Sequence, residues 1–171
     1  ALRRLPVSEA EYARLHQKGL ETVLPYVEAI APQLPPRSET ERTINVSFVT
    51  DNPDLPTISL TGTFDRLDFD EAGNVIRVVD YKTGKPKSRN VIEGKTAAAD
   101  GAYKRQLVFY ALLLDLYDDE RYRCRTGVLS FVESVGQGAG TLKEETFEIT
   151  DDEIDTLKQE ITAAATSLIN G

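Results

Sequence analysis

The pattern of apolar and polar positions predicts a β-hairpin near the middle of the chain. Apolar residues alternate with polar ones through Gly62–Phe69 and again through Val75–Lys82. The residues between the two stretches, Asp70–Asn74, are typical of a turn. Successive side chains of a strand point to opposite faces, so each arm presents one largely apolar face that we expect to pack against the core.

Both arms of this hairpin carry an aspartate on the expected core face, near the open end. A hairpin centred near Ala72–Gly73 brings Asp65 opposite or almost opposite Asp80, at about 5 Å between Cβ atoms. Inward-facing carboxylates cost stability unless they are satisfied, and hard cations such as Mg²⁺ accept one or two of them. Alternation turns Asp68 to the other face, which makes Asp65 the better candidate ligand. The alternative is a solvated hairpin in which Asp80 and Lys82 neutralise each other.

Helical spacing of apolar residues predicts three long helices around the hairpin. The first begins at the cap Ser8 and ends at the Pro-containing break Ala31–Pro36, the second spans Gly101–Tyr117, and the third follows Thr150. The apolar stripes are Ala13, Leu20, Val23, Val27 and Ile30 on the first helix, Tyr103, Leu107, Tyr110 and Leu114 on the second, and Ile154, Leu157, Ile161 and Ala165 on the third.

Strands are predicted before and after the hairpin as well. They are Arg42–Thr50, Thr57–Phe69 (which includes the first arm), Arg125–Glu133 and Leu142–Ile149, the last two joined by a turn at Gly136–Gly140. A long irregular segment, Thr83–Asp100, follows the hairpin. The resulting order, α-β-β-β-α-β-β-α, predicts a single α/β domain over residues 1–171, with a mixed sheet flanked by helices.

Composition narrows the class of protein. A chain of 171 residues with 40% hydrophobic and 28% charged residues is typical of a soluble globular domain. The single cysteine, Cys124, excludes an internal disulfide, a zinc site built from cysteines and a four-cysteine iron–sulfur cluster. No apolar run approaches about 20 residues and no signal-peptide pattern is present, so a cytoplasmic protein without membrane contact is expected. The first residue, Ala1, suggests either processing or a piece cut from a longer polypeptide.

The charge is unevenly distributed. The net charge of −8 argues against a nucleic-acid partner, but the segment from Arg77 to Arg105 holds eight cations and three anions and is therefore +5. A basic zone beside paired carboxylates predicts a phosphate-binding surface. Lys85, Lys104 and Arg105 are candidates to contact DNA there, and Arg77 is expected to add to the attractive field. The alternative is a solvated lysine-rich loop.

Three motifs follow one another over this interval: Gly62-x-x-Asp65-Arg66-x-Asp68, then Val79-Asp-Tyr-Lys-Thr-Gly84, then Gln106-x-x-x-Tyr110. Together they resemble the PD-(D/E)XK nuclease superfamily, specifically the RecB-like branch found at the C-terminus of UvrD-type helicases and in AddAB-type enzymes. The resemblance implies a restriction-endonuclease-like core and a Mg²⁺- or Mn²⁺-dependent deoxyribonuclease. It also implies a helicase partner, in the same or another polypeptide, in DNA end processing or recombinational repair.

Carried over to this chain, the resemblance implies a role for each motif residue. Asp65 and Asp80 would be metal ligands, assisted by the backbone carbonyl of Tyr81, and Lys82 would be the catalytic lysine. Gln106 and Tyr110 resemble residues that hold DNA or orient that lysine. Glu41 matches an acidic position common in the family.

One family feature is missing. RecB-like nucleases usually carry a histidine ligand on an upstream helix, and His16, the only histidine, lacks that context. A lone histidine beside an apolar stripe is more often a packed core residue than a ligand, and the family's histidine helix is expected before Ala1. The competing hypothesis is a catalytically inactive DNA-binding or docking module of the same fold.

Overall fold

A mixed five-stranded sheet organises the structure, a computed structural model that describes residues 7–55, 57–117, 119–135 and 141–170. The strands lie side by side in sequence order, β1-β2-β3-β4-β5. Their bounds are Arg37–Phe48 for β1, Ile58–Phe69 for β2, Val75–Lys82 for β3, Thr126–Val135 for β4 and Thr141–Glu148 for β5. The first three strands form an antiparallel meander.

The described residues also form four α-helices: α1 Glu9–Ile30, α2 Arg89–Ile92, α3 Ala102–Leu116 and α4 Asp151–Asn170. Short 3₁₀ turns follow α1 at Ala31–Gln33 and α3 at Glu120–Tyr122. The predicted order of long elements and the α/β class are confirmed. The one-turn helix α2 lies in the segment predicted as irregular, and the predicted turn Gly136–Gly140 lies outside the described residues.

Local sequence signals set the helix starts. The Ser8 hydroxyl accepts a hydrogen bond from the Glu11 amide at 3.2 Å, as the capping box predicts. At α4 the box is complete, because the Thr150 hydroxyl accepts from the Glu153 amide at 3.2 Å and the Glu153 carboxylate accepts from the Thr150 amide at 3.0 Å. These caps satisfy amides that would otherwise have no partner within the helix.

The predicted start of β1 was wrong by five residues. The strand begins at Arg37 rather than Arg42, because Arg37 and Ser38 pair with Phe69 and Asp68 at the end of β2. This part of β1 is entirely polar, so its extended structure follows from pairing with a neighbouring strand rather than from its own pattern.

The chain divides into two compact units. One contains α1, Tyr81–Pro86 and the described part of Ser130–Glu144. In this unit α1 buries Tyr26, whose hydroxyl lies 2.7 Å from the Ser130 hydroxyl. The apolar stripe predicted for α1 is largely exposed: its central residues Leu20, Val23 and Val27 are 43%, 48% and 49% accessible.

The other unit contains Pro35–Asp80, Lys87–Leu129 and the described part of the C-terminal segment from Glu145. Here α3 packs on β1 and β2, and the Phe64 and Tyr110 rings lie 4.7 Å apart. Gly62 allows this close approach, because a Cβ at that position would lie 2.5 Å from Leu113 Cδ1. On α4 only Ile154 and Leu157 of the predicted stripe are fully buried. Among the described residues, no helix is long and apolar enough to cross a membrane.

Candidate functional site

The pairing of β2 with β3 determines where the two candidate carboxylates lie. Arg66 pairs with Val79, and the following positions of β2 pair with the preceding ones of β3. The ladder ends at the pair of Arg66 and Val79, and Asp65 and Asp80 are the next residues of the two strands beyond it. Asp65 is half-buried and Asp80 is 2% exposed. Two carboxylates therefore lie on neighbouring strands just beyond the last pair of the ladder, and their facing arrangement stays a prediction.

Helix α3 contributes a tyrosine to this carboxylate pair. The Tyr110 hydroxyl donates to the Thr63 carbonyl oxygen at 3.2 Å and to Asp80 Oδ1 at 3.4 Å, so one proton is shared between two acceptors. Gln106, one turn earlier, donates its amide to the same hydroxyl at 2.9 Å. Both motif residues of α3 are thus joined in one hydrogen-bonded chain that ends at Asp80.

Both aspartates affect the pKa of Tyr110. Burial, followed by the negative charge of Asp80, raises the pKa of Tyr110 to about 12, and the charge of Asp65 contributes in the same direction. The hydroxyl therefore stays protonated at neutral pH and acts as a hydrogen-bond donor. Because both carboxylates act on one hydroxyl, Asp65 and Asp80 belong to the same polar cluster.

The donor set of this cluster suits a hard divalent cation. Carboxylate oxygens are the ligands that Mg²⁺ prefers, and Mg²⁺ commonly uses one or two of them and retains several waters. Within the ranges that the structure describes, no group of three or more His, Cys, Asp or Glu residues could hold a metal ion. A cation at Asp65 and Asp80 would thus draw its remaining ligands from backbone carbonyls, water or substrate.

Two more candidate site residues, Tyr81 and Lys82, follow Asp80 along the same strand. Tyr81 and Lys82 end β3, and both are half-buried. Lys82 is two residues beyond Asp80, so alternation directs both side chains to the same face of the strand. The Tyr81 ring packs edge-to-face on Tyr26 with 6.0 Å between ring centroids.

A buried ion network lies next to the carboxylate pair and was not predicted from the sequence. Asp68 is fully buried; it lies 2.9 Å from Arg66 Nε and 2.5 Å from Arg77 Nε, and it accepts from the Ser38 hydroxyl at 2.8 Å. The only hint of this network in the sequence was the motif Gly62-x-x-Asp-Arg-x-Asp68, which contains Arg66 and Asp68. Arg77, expected to attract DNA, instead pairs with Asp68.

The cations predicted to contact DNA differ in their surroundings. Lys85 is exposed just after β3. Lys104 lies 3.3 Å from a Glu153 carboxylate oxygen and Arg105 lies 3.9 Å from one of Glu160, both on α4. The charges of Lys104 and Arg105 are therefore partly balanced within the protein, and their contact with DNA stays a prediction.

His16 and Glu41 are the two remaining residues that the sequence singled out. His16 is exposed on α1 and stacks on Tyr12 with 5.9 Å between rings, rather than packing in a core. Glu41 is exposed within β1 and has φ of 53°, in the left-handed region that side chains other than glycine rarely adopt. The ladder pairs its neighbours Thr40 and Arg42 with β2 and omits Glu41.

Comparison with known proteins assigns the chain to a family. No curated protein matches the chain. A solved structure described as "Crystal structure of SSO0001" is similar over 95% of this chain, with 14% identity and a TM-score of 0.47, and the chain spans 61% of that protein's length. The family model described as the PD-(D/E)XK nuclease superfamily matches residues 1–171. The chain therefore belongs to the PD-(D/E)XK nuclease superfamily.

Proposed function

We propose that the chain is a metal-dependent DNA nuclease that hydrolyses phosphodiester bonds at the Asp65–Asp80 pair. The single observation that carries the proposal is the Tyr110 hydroxyl, which donates to Asp80 and whose pKa is raised by burial and by the charges of both aspartates. Family membership supports a nuclease, and the choice of oxygen donors supports Mg²⁺ or Mn²⁺ as the ion.

In this proposal Asp65 and Asp80 hold the ion, with the Tyr81 carbonyl as a further oxygen donor. A bound divalent ion lowers the pKa of a coordinated water and polarises a phosphate oxygen. Lys82 presents a compact positive charge with three donors on the face of β3 that carries Asp80. It can orient the attacking water and stabilise the negative charge that develops on the phosphoryl oxygens.

Gln106 and Tyr110 position Asp80 in this scheme. Tyr110 is only 6% exposed, so its hydroxyl serves the interior of the site rather than a DNA strand. It donates to Asp80, and Gln106 in turn holds the Tyr110 hydroxyl. Such partners fix the direction of a ligand carboxylate and typically change metal affinity when removed.

The RecB-like motifs further suggest a cellular context. We propose that the nuclease works beside a helicase, in the same or a partner polypeptide, in DNA end processing or recombinational repair. Lys85, Lys104 and Arg105 would guide the phosphate backbone without reading the bases. A purified helicase–nuclease assembly would test this context: its unwinding products should be shortened only when Asp80 is intact.

Degradation of linear DNA with and without Mg²⁺ or Mn²⁺ tests the nuclease proposal. We expect cleavage by the wild type and at least about a hundredfold loss in Asp80→Asn and in Lys82→Gln, because each change removes charge where the reaction needs it. Asp54→Asn, at an exposed position, and Lys158→Gln, on α4 with a side chain 37% exposed, make the same chemical changes and should cleave normally.

The competing function is an inactive DNA-binding module of the same fold. That function would be correct if the wild type, Asp80→Asn and Lys82→Gln were equally inactive with both metals and yet bound DNA with equal affinity. Cleavage that is metal-dependent but unaffected by Asp80→Asn would place the reaction elsewhere in the protein.

A further inference from the structure

We propose that Ser38, Arg66, Asp68 and Arg77 form a register lock, a buried ion network that positions Asp65 opposite Asp80. This inference rests on the proposed function, because it assigns the network a role in preparing the metal site. The four residues are not ligands in this assignment. They act through the pairing of strands β1, β2 and β3.

The contacts of the register lock run across three neighbouring strands. Asp68 on β2 pairs in the ladder with Ser38 on β1 and with Arg77 on β3. Its carboxylate accepts from the Ser38 hydroxyl at 2.8 Å and lies 2.5 Å from Arg77 Nε. Arg66, two residues earlier on β2, donates to Asp68 Oδ2 at 3.2 Å. One carboxylate thus ties both neighbouring strands to a single position of β2.

Stability alone is a poor explanation for this network. The Asp68 side chain is fully buried and that of Arg66 is 2% exposed, while Arg77 retains 29% exposure. Charged groups of both signs are thus removed from water, at a cost in free energy that their mutual attraction must offset. Well-packed apolar residues can replace buried ion networks without loss of stability, and the best-attested role of such networks is to select one register.

This hairpin needs such a device because its hydrophobic pattern does not define the register at this end. Residues 66–69 of β2 are all buried, so both faces of the strand are covered. Alternation fixes a register only where one face of the strand is buried and the other is exposed to solvent. A register shift between Asp68 and Phe69 adds a second source of ambiguity.

A slip of one residue would abolish the proposed metal site. It would move Asp80 opposite a neighbour of Asp65 and turn the two carboxylates to opposite faces of the sheet. The register lock lies three residues from Asp65 along β2, and three residues from Asp80 along β3. Only the pairs Leu67–Val78 and Arg66–Val79 lie between its Asp68–Arg77 pair and the carboxylates.

The decisive variant replaces the ion network by apolar residues: Arg66→Met, Asp68→Leu and Arg77→Leu together. We expect this triple variant to fold with a thermal midpoint equal to or above that of the wild type. We also expect it to lose the cross-strand nuclear Overhauser effects between the backbone protons of residues 66 and 79. Its affinity for Mn²⁺, measured by calorimetry on the full chain, should fall by about tenfold or more.

A milder variant and a control accompany the triple variant. Arg77→Gln leaves Asp68 paired with Arg66 and Ser38, and we expect its Mn²⁺ affinity to fall by about three- to tenfold. Arg121→Gln breaks an exposed pair with Asp119 and should bind Mn²⁺ as the wild type does. If the triple variant does not fold, the affinity of Arg77→Gln decides the question.

Retention of the cross-strand signals and of Mn²⁺ affinity in the folded triple variant would overturn the register lock. Unchanged Mn²⁺ affinity in Arg77→Gln would overturn it as well. Failure of the proposed function looks different: the wild type and Asp80→Asn would then show the same Mn²⁺ affinity. The cross-strand signals, which need neither metal nor DNA, would still report whether the network sets the register.

Discussion

The contact between Gly62 of β2 and helix α3 gives the sharpest test of the packing that surrounds the site. Gly62 is the first residue of the motif that contains Asp65, and Leu113 is fully buried above it. A Cβ at position 62 would lie 2.5 Å from Leu113 Cδ1 and 3.6 Å from Phe109 Cε1. Favourable contacts between carbon atoms occur at about 3.5–4.0 Å, so Leu113 must move by about 1 Å.

The expected cost of Gly62→Ala follows from this overlap. Overpacking a buried site typically costs about 1–3 kcal/mol, and replacing glycine by alanine in a strand returns about 0.5–1 kcal/mol. We therefore expect a net loss of about 1–2 kcal/mol in the free energy of unfolding. For a chain of this size that corresponds to a fall of roughly 2–8 °C in thermal midpoint. Urea and thermal unfolding followed by circular dichroism would measure both quantities.

The matched control is Gly19→Ala in α1. Nothing lies within 4 Å of a Cβ at position 19, and alanine is the better helix former, so we expect a gain of about 0.5–1 kcal/mol. The double variant Gly62→Ala with Leu113→Ala should be less unstable than the sum of the two single changes, because the second creates room for the first. A neutral Gly62→Ala together with strict additivity would refute the close packing of α3 on β2.

Three other groups allow direct tests. The free energy of unfolding of the wild type should fall by about 2–3 kcal/mol between pH 10 and 12, and Tyr110→Phe should abolish this fall. In the wild type the folded state keeps a proton that the unfolded state loses near pH 10, so stability falls as the pH rises through this window; urea unfolding at pH 9 and pH 11.5 would show it. Glu41→Asn should stabilise by about 0.5–1 kcal/mol, since asparagine tolerates the left-handed backbone better, and a thermal midpoint no higher than that of the wild type would contradict this. Burial raises the pKa of Cys124, so a thiol reagent should label it only upon unfolding.

The sequence predicted the central hairpin well because its signal is local. The turn at Asp70–Asn74 and the alternation on either side predict β3 with the bounds that the structure has. The start of β1 at Arg37 could not be predicted, because polar residues become a strand there only through pairing with β2.

Burial was harder to predict than element type. Alternation correctly separates Asp68 from Asp65, but it gives no sign that the second face of the hairpin is also buried and that Asp68 is part of an ion network. On α1 the pattern made the opposite error, because it predicted burial for residues that are exposed. Leu20 and Val23 have helical spacing, yet the side chains that α1 buries are Tyr26 and Ile30, and only Ile30 belongs to the predicted stripe. The Tyr26 hydroxyl lies 2.7 Å from that of Ser130.

The basic segment shows how contacts between distant residues change an interpretation based on local charge. At least five of its eight cations lie within 4 Å of a carboxylate oxygen: Arg77, Arg89, Lys95, Lys104 and Arg105. Several of these carboxylates belong to β5 and α4, so no count along the segment itself could reveal them.

This pairing predicts a shallow salt dependence of binding to duplex DNA. If the five paired cations keep their carboxylates, at most three of the eight can neutralise phosphates, and log K against log salt concentration should have a slope no steeper than about −3. A slope near −7 would mean that phosphates displace the carboxylates and that the whole segment binds DNA. The measurement needs only fluorescence anisotropy with a catalytically silenced Asp80→Asn protein. Glu153→Gln, which releases Lys104 from its carboxylate, should steepen the slope by about one unit, and an unchanged slope would show that Lys104 does not meet the DNA.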